Sequence, residues 1–376
     1  MADKKVEIAW FAPLCNGDDD LLGNRNDLYK STWENTSRIA ALADKRGYRN
    51  ILCPSSYQVG QDTLSFVSAM APLTDQINFL AAVRCGEIHP PMLARAIATL
   101  DHILKGRLTI NIISSDLPGT QLASEQRYAK SREVIQILKQ SWTQEHLSFK
   151  GDFYQLELDT APVKPYQQNG GPLLYFGGYS DAGVELCAEF CDVYLMWPDQ
   201  EEGLKKQIEK LRRKCAVYKR SIRFGLRIHV IVRETEEEAI AYSRKLLSKL
   251  DLDEGAKIRN RALDSKSYGV AKQKELREKS SSDYFVEDHL WTGIGLARSG
   301  CGAAIVGNPD QVYKKLKGYI EMGFEAFILS GYPHYDECDL FAKYVLPRFQ
   351  ICALNEEMNR KPKALPQTPL GSAKRL

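Results

Sequence analysis

An arginine and a histidine two residues apart in an otherwise apolar run are the first side chains here that could do chemistry. In Phe224-Gly225-Leu226-Arg227-Ile228-His229-Val230-Ile231-Val232, the two-residue period of a strand puts Leu226, Ile228, Val230 and Val232 on one face and Arg227 with His229 on the other. A guanidinium on a face that points into a core is costly unless it is paired or reads an anion. An internal ion pair with an Asp or Glu is the structural alternative to an anion site. A second candidate is LYFGGYSD at 174–181, which runs from a strand through Gly177 and Gly178 to Ser180 at a helix start. Free backbone N–H groups and a hydroxyl at the positive end of a helix make a seat for phosphate, whereas an ordinary N-cap is the bland alternative. Arg127-Tyr128, near the start of another helix, could supply the other half of a phosphate grip. HExxH, GxxxxGK[ST], GxSxG and a true GxGxxG are absent. With six histidines and no short ligand spacing among them, no metal is expected.

These residues need elements to hold them, and the chain supplies a regular alternation. Apolar or β-branched runs at 6–11, 50–54, 77–83, 108–113, 173–176, 192–196, 224–232 and 326–329 are separated by stretches of helical periodicity. Eight such βα units predict an α/β fold, a TIM (β/α)8 barrel, whose catalytic rim lies just after the strand ends. Polar residues gather there: Cys15 and Asn16, Ser55, Arg84, Ser114, Trp197, and Tyr332 with His334. Two insertions interrupt the rhythm. Residues 146–164 alternate with period two and predict a hairpin; residues 251–300 are long and polar, between strands seven and eight, and predict a lid. The reading is one domain over 1–353, followed by a mobile tail over 354–376.

Composition excludes more than it assigns. The chain has 376 residues, a formal charge of +3, 26% charged residues and nine cysteines without CxxC spacing. Neither a nucleic-acid footprint, nor a membrane span, nor a disulfide framework is expected, and a reducing cytoplasm is the natural compartment.

Five blocks then carry a resemblance: LYFGGYSD at 174–181, YLMW at 194–197, IRFGLRIHVIVRET at 222–235, LWTGIGLARSGCG at 290–302 and FILSGYPH at 327–334. Together they resemble FMNH2-dependent alkanesulfonate monooxygenases of the bacterial luciferase-like superfamily, in order from about Val6 to Phe349. The resemblance implies reduced FMN supplied by a separate NAD(P)H-dependent reductase, O2 as co-substrate, cleavage of a C–S bond in an organosulfonate to aldehyde and sulfite, and a homo-oligomer (dimer or tetramer). It implies a sulfonate grip of Trp197, Arg227, His229, Arg298 and His334, with Arg227, His229, Arg298 and Tyr332 taking catalytic roles. Asn111, Ser114, Arg127, Tyr128 and Ser180 would bind the flavin. The chain departs from the family pattern at Cys15, at His89 and in the loop 55–60. A luciferase-like monooxygenase of a non-sulfonate, and a flavin-binding relative without turnover, are the competing expectations.

Overall fold

Alternate residues of each core strand face two different layers, and this alternation builds the molecule. The structure is a computed structural model that describes residues 4–362 except 16, 25, 57–59, 116, 118, 120–121, 161–162, 261–267 and 299. Asn16, half of the loop 55–60, the centre of the lid and most of the tail therefore lie outside the described residues.

In chain order the strands are β1 (Glu7–Phe11), β2 (Asn50–Cys53), β3 (Asn78–Arg84), β4 (Leu108–Ile113), β5 (His146–Lys150), β6 (Gln155–Asp159), β7 (Leu174–Phe176), β8 (Val193–Met196), β9 (Arg223–Val232), β10 (Phe285–Glu287), β11 (Leu290–Trp291), β12 (Ala304–Gly307) and β13 (Phe324–Ser330). The helices are α1 (Trp33–Arg46), α2 (Thr63–Met70), α3 (Pro90–Ile103), α4 (Ser124–Thr143), α5 (Asp181–Phe190), α6 (Glu201–Val217), α7 (Glu236–Leu246), α8 (Leu252–Asn260), α9 (Tyr268–Glu278), α10 (Pro309–Met322), α11 (His334–Tyr344) and α12 (Leu354–Glu357). Strands β1, β2, β3, β4, β7, β8, β9 and β13 pair in parallel, and the β8–β9 and β9–β13 pairings close them into a barrel. These are the eight strands that the sequence places, in the same order. The residues 146–164 hold the antiparallel hairpin β5–β6.

Ile8 and Trp10 of β1, Leu226, Ile228 and Val230 of β9, and Phe327 and Leu329 of β13 face the helices, where they join one buried cluster. Ala9, Leu52, Leu80, Tyr175, Leu195, Ala326 and Ile328 face inward and fill the barrel. The outward face of β9 is the one its period predicts. Helix ends follow their residues: Asn308 caps α10 and exchanges a bond with Gln311, Pro309 opens the helix, and Gly323, at φ 115°, ends it in the left-handed region.

The lid is only partly new structure. β12 extends the sheet beside the far end of β9, with Ala304 opposite His229, and β11 and β10 continue it antiparallel. Helices α8 and α9 lie above. The tail reading needs correction at its start. Leu354 N–H donates to Glu7 Oε2 at 3.0 Å, Asn355 is fully buried, and the Arg360 guanidinium donates to Asp192 Oδ1 at 3.0 Å. Residues 354–361 thus close the N-terminal end of the barrel, because inward-facing Glu7, Asn50 and Asn78 would otherwise be left there with too few partners.

Candidate active site

At the opposite end, β9, β13 and the segment after β1 bring charged and aromatic side chains together. Register fixes the level: Arg227 lies opposite Ile328, and His229 opposite Ser330. The Arg227 guanidinium is buried, stands 4.5 Å over the Phe11 ring and donates only to the carbonyls of Ile228 at 3.2 Å and Ile328 at 3.4 Å. Among the described residues no carboxylate pairs with it, so the internal ion pair weighed from the sequence is not formed. Burial pulls its pKa down, while the nearby Cys301 and Tyr332 support the charge. A cation held this way, with most of its donor fork unspent, is suited to an anion brought from outside.

His229 Nδ1 and Ser330 Oγ lie 2.7 Å apart, and the imidazole stacks on Tyr332 with ring centroids 5.2 Å apart. Burial first, then the charges of Arg227, His334 and Arg298, hold its pKa well below the ordinary value. His229 is therefore neutral at physiological pH, able to hydrogen-bond but not to serve as a second positive charge.

His334 opens α11. Its backbone N–H and its ring Nδ1 each lie 2.8 Å from the same oxygen, Oδ1 of Asp18. Its other nitrogen, Nε2, is buried without a hydrogen-bond partner, and the ring meets Tyr332 edge-on at 5.1 Å.

Arg298 comes from the lid, packs over Tyr332 at 5.1 Å and is ion-paired with Asp19. Burial opposes its charge, but Tyr332, Asp19 and Asp18 outweigh burial and raise its pKa. Asp19 itself is pushed up to about 6, because burial and the neighbouring Asp18 and Asp20 exceed the attraction of Arg298. The predicted anion grip is thus asymmetric: among the described residues Arg227 has no counter-ion, and Arg298 already has one. Trp197 sits on the rim after β8, its backbone N–H donating to the Tyr179 hydroxyl at 2.6 Å. A Cβ on Gly269 would lie 2.9 Å from its indole and one on Gly300 3.2 Å from it, so the lid rests on this ring at two points.

The residues expected to hold the flavin lie elsewhere on the same rim. Asn111 takes the inner-face register on β4 beside Tyr175. Ser114 and Arg127 line one cleft with Cys85, Lys130 and Ser131, and the buried Ser114 Oγ has no hydrogen-bond partner. Ser180 caps α5, its Oγ accepting from Gly183 N–H at 3.2 Å. The Tyr128 hydroxyl is 3.0 Å from where a Cβ on Gly183 would stand and 3.4 Å from one on Gly178. Side chains at those two glycines would fill the space in front of Tyr128 and Ser180.

Several residues at the site escape the sequence reading. Asp18 and Asp19 were legible as a run of three acids soon after β1, at a rim position. Ser330 lies one residue past the predicted end of the last strand, where the alternation from Ile328 already turns it inward. Gln273, on α9, carries no sequence signal. Among the described residues no group of three or more His, Cys, Asp or Glu is placed to hold a metal ion, and no helix is long and apolar enough to cross a membrane.

Comparison with known proteins follows the same lines. Residues 6–326 match the family described as Luciferase-like monooxygenase. The chain is 52% identical over 371 residues to a sulfoquinovose monooxygenase of Agrobacterium fabrum, covering 98% of this chain and 96% of that one. It is 50% identical over 362 residues to a sulfoquinovose monooxygenase of Novosphingobium aromaticivorans, covering 94% and 100%. Among solved structures, a riboflavin lyase with modified FMN and riboflavin shares the fold, with TM-score 0.76, 16% identity and coverage of 95% and 93%.

Proposed function

The chain belongs to the luciferase-like monooxygenase family, and from that premise we propose that it uses FMNH2 and O2 to desulfonate an organosulfonate, with sulfoquinovose as the substrate. One oxygen atom enters the carbon that bears sulfur, the other leaves as water, and the C–S bond breaks to give an aldehyde and sulfite. Arg227 carries the reading. A sulfonate keeps its charge at every physiological pH and offers three acceptor oxygens, and a buried guanidinium without a carboxylate is the partner such a group needs. The two sulfoquinovose monooxygenase relatives, at half identity over nearly whole chains, support a sulfosugar over a simple alkanesulfonate.

The residues present fit a flavin. Ser114 brings a buried hydroxyl without a partner, Arg127 a cation in the same cleft, and Tyr128 and Ser180 two hydroxyls around side-chain-free Gly183. Reduced FMN, supplied by an NAD(P)H-dependent reductase, contributes the activation of O2. The protein's own part is to bind and dry. Arg227 fixes the sulfonate, neutral His229 and Trp197 offer hydrogen-bond donors beside it, Tyr332 and His334 handle protons, and the lid carrying Arg298 excludes water.

The test is sulfite release with a flavin reductase, NADH and FMN. Sulfoquinovose is expected to give sulfite with a higher kcat/KM than straight-chain alkanesulfonates. Release from alkanesulfonates alone would remove the sulfosugar, and no sulfite from any sulfonate would favour a luciferase-like monooxygenase of a non-sulfonate.

A further inference from the structure

Desulfonation leaves one proton to be removed that none of the cations at the site can take. Once oxygen is on the carbon, the α-hydroxysulfonate must collapse. The hydroxyl O–H bond breaks, its electron pair becomes the second C=O bond, and the C–S pair leaves with sulfur as sulfite. A base must accept that proton. Arg227 and Arg298 are cations, and the His229 ring is spent on two partners, Nδ1 on Ser330 and a further bond to the Cys301 backbone.

We propose that Asp18 is a positioning residue for this step: it holds His334 with the proton on Nδ1, so that Nε2 presents its lone pair to the hydroxyl. The inference rests on the desulfonation reading above. The geometry leaves His334 little choice of tautomer. Asp18 Oδ1 accepts from the His334 backbone N–H and lies 2.8 Å from Nδ1, while Asn35 Nδ2 donates to Oδ2 at 3.3 Å and sets the carboxylate plane. An ionised carboxylate only accepts, so Nδ1 must be the donor. Burial works against the Asp18 charge, but the interaction with His334 and the bonds from His334 and Asn35 outweigh it and keep the pKa below the usual carboxylate range. That leaves Nε2 as the free nitrogen, and it is a buried acceptor without a partner at the site, where the other unpartnered atom, Arg298 Nε, can only donate. Tyr332 meets the imidazole edge-on, His229 is close enough to feel it, and Arg298, paired with Asp19, packs on that same Tyr332. Arg298 and neutral His229 leave Asp18 as the anion that touches the ring.

A purely structural reading makes Asp18 a helix cap supplied from a distant loop, satisfying the first N–H of α11. The two readings diverge in Asp18→Asn, whose amide can still accept from the backbone N–H but can turn its NH2 toward Nδ1. Positioning predicts that kcat for sulfite release from sulfoquinovose falls by about 100-fold or more, as loss of the correct tautomer does in related Asp–His pairs. KM should change less than threefold. Asp18→Glu should restore part of kcat. Two-bond nitrogen–proton NMR on 15N-histidine protein, with His334→Gln assigning the signal, should show His334 as the Nδ1–H form in the parent and not in Asp18→Asn. If Asp18→Asn fails to fold, Asn35→Ala, which loosens the carboxylate, should shift kcat and the tautomer in the same directions by a smaller factor. Parental kcat in the folded variant, or a lowered kcat with the histidine spectrum unchanged, overturns the proposal. Absence of sulfite from the parent enzyme with every sulfonate overturns the desulfonation reading instead, and the tautomer measurement still decides the role of Asp18.

Discussion

A buried guanidinium whose only protein acceptors are two carbonyls is a burden on the folded chain. Replacing an under-compensated buried charge with an apolar side chain of similar length is often stabilising by about 1–4 kcal/mol. Arg227→Met should therefore raise the melting temperature while reducing sulfite release by at least about 100-fold, and a variant that melts lower would mean that Arg227 has a structural partner. Asp19 gives a prediction in pH. Its folded pKa is about 6 against an ordinary 3.8, so folding is favoured by its protonation, and that contribution is lost as pH rises through about 6. Protonation also removes the counter-ion of Arg298. Inhibition by an inert anion such as methanesulfonate should tighten as pH falls from 7 to 5, and Asp19→Asn should bind it tightly and without that dependence. An affinity in the variant that follows pH as the parent's does would place the titration elsewhere.

At the scale of elements, the lid is held by few bonds. Gln273 joins α9 to the barrel: its amide donates to the Pro198 carbonyl at 2.7 Å and its Oε1 accepts from Gly302 N–H at 3.1 Å. Gln273→Ala should leave the barrel intact while the fraction of O2 reduced to hydrogen peroxide without sulfite rises severalfold, read from paired oxygen-electrode and sulfite assays. Equal coupling in both proteins would show that the lid closes without this tie. The lid is also where the sequence was least legible. The eight barrel strands each show an apolar run because both of their faces are buried. α9 shows no apolar stripe because it docks through Gly269 and a glutamine. β12, just past the lid, is four residues long and ends in a glycine, and its sign lies in another element: β9, at ten residues, outruns the strands around it and needs a partner for its far half. For the site, the strand period was enough to aim Arg227 and His229. The pairing of Arg298 with Asp19 and of His334 with Asp18 depends on how the loop after β1 folds back, and no periodicity encodes that.

Across the whole molecule the two ends of the barrel have opposite duties. The N-terminal end is sealed by the chain's own late segment, where Asn355 Nδ2 donates to the Gly106 carbonyl at 2.7 Å and to Gln167 Oε1 at 3.0 Å, and its Oδ1 accepts from Asn78 Nδ2 at 2.9 Å. Asn355→Ala strands these buried groups and should cost about 2–4 kcal/mol in urea unfolding, with kcat unchanged because the reacting end lies across the barrel. A fall in kcat at parental stability would couple the two ends. The C-terminal end is instead shut by a lid whose glycines at 269 and 300 rest directly on the Trp197 indole. That contact makes the enzyme its own optical gauge: solvent reaching the ring as the lid lifts must change its emission, so the difference between the parent and Trp197→Phe in stopped flow would time opening and closing without any attached dye.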